Sequence, residues 1–165
     1  MDVSLSPLTE KHISKTFSWV QDPELQKLFL MGGKVTWSGH KEYFRKVLMD
    51  STQRIYAILV AGDHVGNCGL KHLSLSKKEG ELWIYIGESS LLNKGIGQKA
   101  VQLLLREGFE VLGLEKICLH VADSNVIALR LYEKIGFCEV EIPHESDEWS
   151  KKGCQIIRME LNKRL

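Results

Sequence analysis

At 165 residues, with 44% apolar and 26% charged residues, the chain has the size of one domain that buries a substantial core, and neither disorder nor a fibrous class is indicated. A net charge of +1, with Lys and Glu interspersed, directs no field at nucleic acid or anionic lipid. No apolar run nears the ~20 residues of a membrane helix, and Met1-Asp-Val-Ser opens no signal-type segment, so a cytoplasmic protein with neither membrane nor nucleic-acid partner is expected.

Val3 to Leu8 alternates apolar and polar residues up to Pro7 and reads as an edge strand. Thr9 caps a helix over Glu10 to Gln21, with Ile13, Phe17 and Val20 at helical spacing, and Asp22-Pro23 ends it. A second short helix is expected from Pro23 to Phe29, closed by Gly32-Gly33. Ser38 is the cap expected for a third helix through Asp50, with Tyr43, Phe44, Val47 and Leu48 on its apolar side. Trp19 and Trp37 read first as packing residues.

Ile55 to Val60 and His64 to Leu70 are two strands joined at Gly62-Asp63, an antiparallel hairpin. A polar turn at Lys77 to Gly80 leads to a third strand, Glu81 to Ile86, with Glu81, Trp83 and Tyr85 on one face and Leu82, Ile84 and Ile86 on the other. From Gly97 to Leu112, Ala100, Leu103, Leu104, Val111 and Leu112 recur at helical spacing. The strand at Lys116 to Val121 then lies parallel to the Glu81 strand through a right-handed crossover. A short helix from Ala128 to Ile135 and strands at Phe137 to Ile142 and Gln155 to Leu161 close the chain. The loop between those strands, Pro143 to Gly153, carries His144, Glu145, Asp147, Glu148 and Trp149, an acidic cluster that could attract a cationic acceptor or simply be solvated. The fold class is α/β: a mixed, mostly antiparallel sheet of about six or seven strands flanked by helices, with one central parallel pair.

Cys68, Cys118, Cys138 and Cys154 form no Cys-x-x-Cys pair and read as reduced, mostly buried thiols. The histidines show no metal-site spacing. The turn Asn93-Lys-Gly-Ile-Gly-Gln follows a strand and opens a helix, where unpaired N–H groups and the helix dipole suit a phosphate. Neither a Walker loop nor a dinucleotide fingerprint surrounds Gly95.

That turn, with Leu91 to Ala100, Leu114 to Val121 and Asp123 to Phe137, resembles the GNAT superfamily of acyl-CoA-dependent N-acetyltransferases. The resemblance implies acetyl-CoA as cosubstrate, with Asn93, Lys94, Gly95, Ile96, Gly97 and Gln98 holding its pyrophosphate; Leu92 stands where the family has Gln or Arg. It implies that the two parallel strands splay and that the edge bearing Ile84 and Ile86 pairs with the pantetheine amides, an N–H near Ile86 also serving the oxyanion. In the Asn-x-x-Ala-x-x-x-Tyr spacing, Asn125 and Ala128 would meet the pantetheine arm and Tyr132 would act as general acid. Glu81, His120 or a water is the candidate base; His120 suits proton transfer near neutral pH.

The N-terminal helices and the strand at Trp83 to Gly87 look most like the branch holding small-molecule and ribosomal-protein N-terminal acetyltransferases. The expected function is acetylation of a primary amine by direct attack. The acceptor would be an amino sugar nucleotide, a polyamine or an aminoglycoside, bound near the loop from Met31 to Trp37. A non-catalytic acyl-CoA sensor, a protein N-terminal acetyltransferase and an ATP- or NAD-binding protein are the rival readings. Family members often form homodimers.

Overall fold

The computed structural model describes residues 1–28, 35–142 and 155–164. Its strands are β1 (Val3–Pro7), β2 (Arg54–Val60), β3 (Asp63–Ser74), β4 (Glu79–Ile86), β5 (Lys116–Ala122), β6 (Cys138–Val140) and β7 (Ile156–Asn162). They form one seven-stranded sheet in the order β1-β2-β3-β4-β5-β7-β6, antiparallel except at β4–β5. The helices are α1 (Ile13–Val20), α2 (Pro23–Leu28), α3 (Trp37–Met49), α4 (Ile96–Arg106) and α5 (Val126–Ile135). The mixed sheet read from the sequence is therefore the observed one, β1 lying at its edge as Pro7 requires.

Among the described residues the hairpin β2–β3 turns on Ala61 and Gly62 alone, both at positive φ, a two-residue turn whose twist matches the strands. On one face of the sheet α4 buries Ile96, Ala100, Val101, Leu104 and Leu105 among Leu70, Leu82, Ile117 and Leu119. Leu104 is fully buried, so truncating it costs about 2–5 kcal/mol. On the other face α1 and α3 lay Ile13 and Phe44 over Ala57.

Several boundaries differ from those expected. Glu10–His12 is a tighter 3-10 turn before α1, with the Thr9 N–H donating to His12 Nδ1 at 2.9 Å. The cap of α3 is Thr36, not Ser38: its hydroxyl accepts from the Gly39 N–H at 3.1 Å. Helix α3 starts two residues earlier than expected and turns His40, Phe44 and Val47 to the core, while Tyr43 and Leu48 are exposed. Helix α4 does not run regularly to Leu112; it widens into a π-type turn at Glu107–Val111, which leaves Val111 exposed. Gly108 sits in that turn because a Cβ there would lie 2.7 Å from Ile117 Cδ1. Of the thiols, Cys68 and Cys118 are buried and Cys138 is exposed. Phe29, Gly32-Gly33, the Pro143 to Gly153 loop and Cys154 lie outside the described residues. No helix among the described residues is long and apolar enough to cross a membrane.

Candidate functional site

Strands β4 and β5 pair only at Glu79↔Lys116, Gly80↔Ile117 and Glu81↔Cys118, then separate. Five residues of β4 and four of β5 run on without pairing to each other, beginning at Leu82 and Leu119. Into the gap opens a cavity of about 910 Å³, which reaches from the α4 turn to the α1–α3 helices. The Gly87 N–H donates to Val65 O at 2.8 Å, on the β3 side. Because N–H groups alternate along a strand, those of Ile84 and Ile86 face the opposite edge, toward the gap.

At one end of the cavity the chain passes through Asn93 (φ 62°) and Gly95 (φ 80°) into α4. Lys99 makes the first bond back to Gly95 O, at 3.2 Å, so the N–H groups of Ile96, Gly97 and Gln98 have no acceptor within the helix. A Cβ on Gly95 would meet nothing within 4 Å, and one on Gly97 only Leu131 Cδ2 at 3.8 Å. Packing within the protein therefore leaves room for side chains that the sequence withholds, as a backbone meant to be approached by a ligand requires. Leu92, 41% exposed, stands at the rim.

Opposite this turn, Asn125 caps α5, its side-chain oxygen accepting from the Ala128 N–H at 3.3 Å. The oxygen serves the helix, and the amide N–H₂ is the donor pair left to a ligand. Tyr132, two turns on, is 7% exposed, rests edge-on against Phe137, and its phenol is pushed well up by burial.

Where the strands part stands a three-membered charged cluster. Glu81 Oε1 is 2.6 Å from His120 Nδ1, and Glu81 Oε2 is 3.1 Å from Lys71 Nζ. The register explains the meeting: Lys71 pairs with Glu81, Glu81 with Cys118, and His120 lies two residues beyond on the same face. Burial pushes the Glu81 carboxyl up, but the His120 hydrogen bond and the Lys71 charge outweigh it and hold the group at about 2. A carboxylate only accepts, so His120 presents its proton at Nδ1 and, when neutral, keeps its lone pair on Nε2.

Every residue expected to hold the donor or to act as acid or base lines this one cavity except Lys94, which is exposed in the turn; of the expected acceptor loop, Val35 lines it, and residues 31–34 lie outside the described residues. The sequence reading missed three contributors. Lys71 was hidden because only the β3–β4 register brings it to Glu81. Asn67 is fully buried, donates to Thr16 Oγ1 at 2.9 Å and to Tyr85 Oη at 2.6 Å, and lies 2.7 Å from His64 Nε2. His40, also in the wall, is buried between Phe17 and Phe44, and among the described residues its Nε2 has no hydrogen-bond partner. Trp19 is buried, as packing predicts, whereas Trp37 is 43% exposed and stacks on His40.

A sequence profile described as the acetyltransferase (GNAT) domain matches residues 2–138. The chain belongs to the GNAT acetyltransferase family. It is an N-acetyltransferase; GNAT acetyltransferases use acetyl-CoA, and the Gly95 turn and the open edge of β4 fit that group. An N-acetyltransferase 9-like protein of Caenorhabditis briggsae is 28% identical over 150 residues, 82% of this chain and 74% of that protein. The spermidine N(1)-acetyltransferase of Escherichia coli K12 is 30% identical over 105 residues, 63% of this chain and 56% of that one. In fold, the chain is similar to a spermidine N-acetyltransferase from Vibrio cholerae solved with CoA and spermine. The TM-score is 0.85 at 20% identity, over 97% of this chain and 95% of that chain.

Proposed function

We propose that this enzyme acetylates the primary amine of a small molecule whose amine-bearing part carries no further positive charge, of the amino sugar or amino sugar nucleotide kind, by direct attack and without a covalent enzyme intermediate. The observation that carries the acceptor class is the wall of the cavity beyond Glu81. Among the described residues it holds Val20, Leu25, His40, Tyr43, Phe44 and Trp83, and its one carboxylate, Glu81, is already bonded to His120 and Lys71. A polyamine would bring further ammonium groups, and each costs several kcal/mol to desolvate without a partner. Aromatic and apolar walls with a few polar groups suit an uncharged ring instead.

Acetyl-CoA supplies the acetyl group already activated as a thioester. An amino sugar amine with a pKa near ~7.7 is neutral about once in six molecules at pH 7, so attack needs only a group, side chain or water, to take the proton released as the new C–N bond forms. His120, whose ring Glu81 holds through Nδ1, takes it. The Ile86 N–H faces the carbonyl oxygen as negative charge grows there. Tyr132, kept protonated by burial, gives its proton to the departing sulfur. Asn125 and the open N–H groups of β4 and α4 fix the donor against these residues.

A polyamine acceptor is the second reading. It is supported by the identity with the Escherichia coli enzyme and the fold shared with the Vibrio cholerae one. Thiol release from acetyl-CoA, measured against amino sugars, amino sugar nucleotides, aminoglycosides, spermidine and N-terminal peptides, separates the classes. Turnover highest for an amino sugar supports the proposal; turnover confined to spermidine or to peptides overturns it. Acetyl-CoA binding by calorimetry with no turnover of any amine would favour a sensor.

A further inference from the structure

We propose that Trp83 is the seat of the acceptor: its indole is a platform on which the ring of a cyclic amine lies, with the amine turned toward Glu81 and His120. The inference rests on the amino sugar reading above and deepens it by naming the surface that recognises the ring.

A missing side chain makes the platform. Ile55, Gly69 and Trp83 form one row across three strands on the α1–α3 face, Ile55 pairing with Gly69 and Gly69 with Trp83. A Cβ on Gly69 would lie 2.9 Å from both Cε2 and Cζ2 of Trp83, so the indole leans over β3 and fills the space in which a side chain would stand. Glycine inside a strand weakens it and marks a place where another group approaches closely. Here that group is the indole, and β2 tightens the position further, with Arg54 O 2.7 Å from the same Cβ.

The next row holds the indole still. Tyr85 lies two residues on, its ring 6.1 Å from that of Trp83 and within 21° of parallel. The Tyr85 hydroxyl accepts from Asn67 Nδ2 at 2.6 Å, and Trp19 stands edge-on to the Tyr85 ring at 6.2 Å. Toward β5 no strand lies beside Trp83, because β4 and β5 part after Glu81. Trp83 is half-buried and lines the cavity, whereas Trp19 is buried and spends its Nε1–H on Glu88. Among the described residues the Nε1–H of Trp83 makes no hydrogen bond, which leaves a donor for a hydroxyl of the acceptor. A face set in place before binding loses little freedom when the ligand arrives.

An aromatic face accepts either an uncharged ring or a cation. The preceding row decides between them. It carries Lys71 and Glu81 on the same face, about 7 Å along the strands from Gly69 and Trp83. An ammonium over Trp83 would stand beside the Lys71 ammonium, while the Glu81 carboxylate is already bonded to Lys71 and His120. An uncharged ring meets no such repulsion, and a six-membered ring with its amine can bridge from one row to the other.

The test is steady-state kinetics of wild type, Trp83→Phe and Trp83→Leu with the amine that turns over fastest in the panel above, beside calorimetric titration of CoA. For a cyclic amine, KM rises roughly tenfold in Trp83→Leu with kcat and the Kd for CoA little changed, and Trp83→Phe recovers most of the loss. An unmoved KM overturns the proposal, returns Trp83 to packing and leaves the amino sugar reading standing. A rise of the same size for spermidine makes the indole a cation site and also overturns it. Turnover confined to spermidine or to peptides removes the amino sugar reading in wild type, and this proposal with it. Should Trp83→Leu fail to fold, fluorine NMR of the whole enzyme labelled with 5-fluorotryptophan decides. The signal absent from Trp83→Phe should shift when the cyclic amine is added to the CoA-bound enzyme; if it stays in place, the proposal falls.

Discussion

Glu81 and Cys118 are the last residues that β4 and β5 pair before the two strands separate. The carboxylate at that fork is therefore fixed by sheet register on both sides, to Lys71 through β3 and to His120 through β5. A group that one loop could move would not serve as well, because proton transfer depends on placement before it depends on basicity.

The position of Glu81 makes the fold sensitive to acid. Its carboxyl stands at about 2, against an ordinary value of 4.5, so the folded state binds its proton less tightly than the unfolded chain does. The stabilisation is present above pH 4.5 and is lost as pH falls from there to about 2. It amounts to ~3 kcal/mol. Denaturant unfolding of wild type and Glu81→Gln between pH 2 and 7 checks this: the gap between the two should be widest near neutrality and close toward pH 2.

The two glycines of the α4 turn are predicted to fail differently when given a Cβ. Gly95 is at φ 80°, so Gly95→Ala strains the backbone and lowers stability by about 1–2 kcal/mol. Gly97→Ala meets only Leu131 at ordinary contact distance and leaves the melting temperature near wild type. Its methyl instead intrudes where backbone N–H groups meet the donor, and the Kd for CoA rises roughly tenfold or more. Thermal melts paired with calorimetric titration of CoA separate the two effects.

Gly87 predicts a link between the acceptor side and the sheet. A Cβ there would overlap the buried Trp19 indole, whose Nε1 donates to Glu88 at 3.3 Å. Gly87→Ala must displace Trp19 and costs about 1–3 kcal/mol, visible as a lowered unfolding midpoint. Trp19→Phe in the same chain, by removing part of the overlap, should recover some of that loss, which a double-mutant cycle reads directly.

What the sequence disclosed and what it hid divide along physical lines. The hairpin at Gly62, the parallel crossover, the Gly95 turn and the Asn125-to-Tyr132 spacing are local patterns, each set by turn chemistry or helical period, and the structure has all of them. Thr36 and Ser38 are both competent caps for α3, and only packing decides that its buried face runs through His40, Phe44 and Val47 and leaves Tyr43 exposed. The widening at Glu107–Val111 was invisible because nothing local demands it; Gly108 is drawn in by Leu70 and Ile117 from two strands. Lys71 escaped for the same reason, since its partner is ten residues away across a register that includes a bulge. Glu81 and His120 were each named as candidate bases, but their 2.6 Å contact, which turns two candidates into one pair, is a property of the sheet alone.

Tyr132 carries the last prediction. Its ring is part of the core, packed against Phe137 and 7% exposed, while its hydroxyl belongs to a residue lining the cavity. Tyr132→Phe keeps the ring and its packing, so the melting temperature should stay within a few degrees of wild type and CoA should bind about as before. What disappears is the proton for the departing thiolate, and general-acid assistance of this kind is worth roughly a hundredfold or more in rate. The loss should fall on kcat with KM for acetyl-CoA little changed, because the interaction matters only as the C–S bond breaks. Burial pushes the phenol well above the neutral range, so deprotonation of Tyr132 should draw no falling limb below about pH 9 in the wild-type profile. Replacing the acetyl thioester by a donor with a more acidic thiol relieves the need for the proton. The variant's deficit should then shrink; a deficit of the same size with both donors would assign Tyr132 to packing and leave the sulfur to be protonated by water.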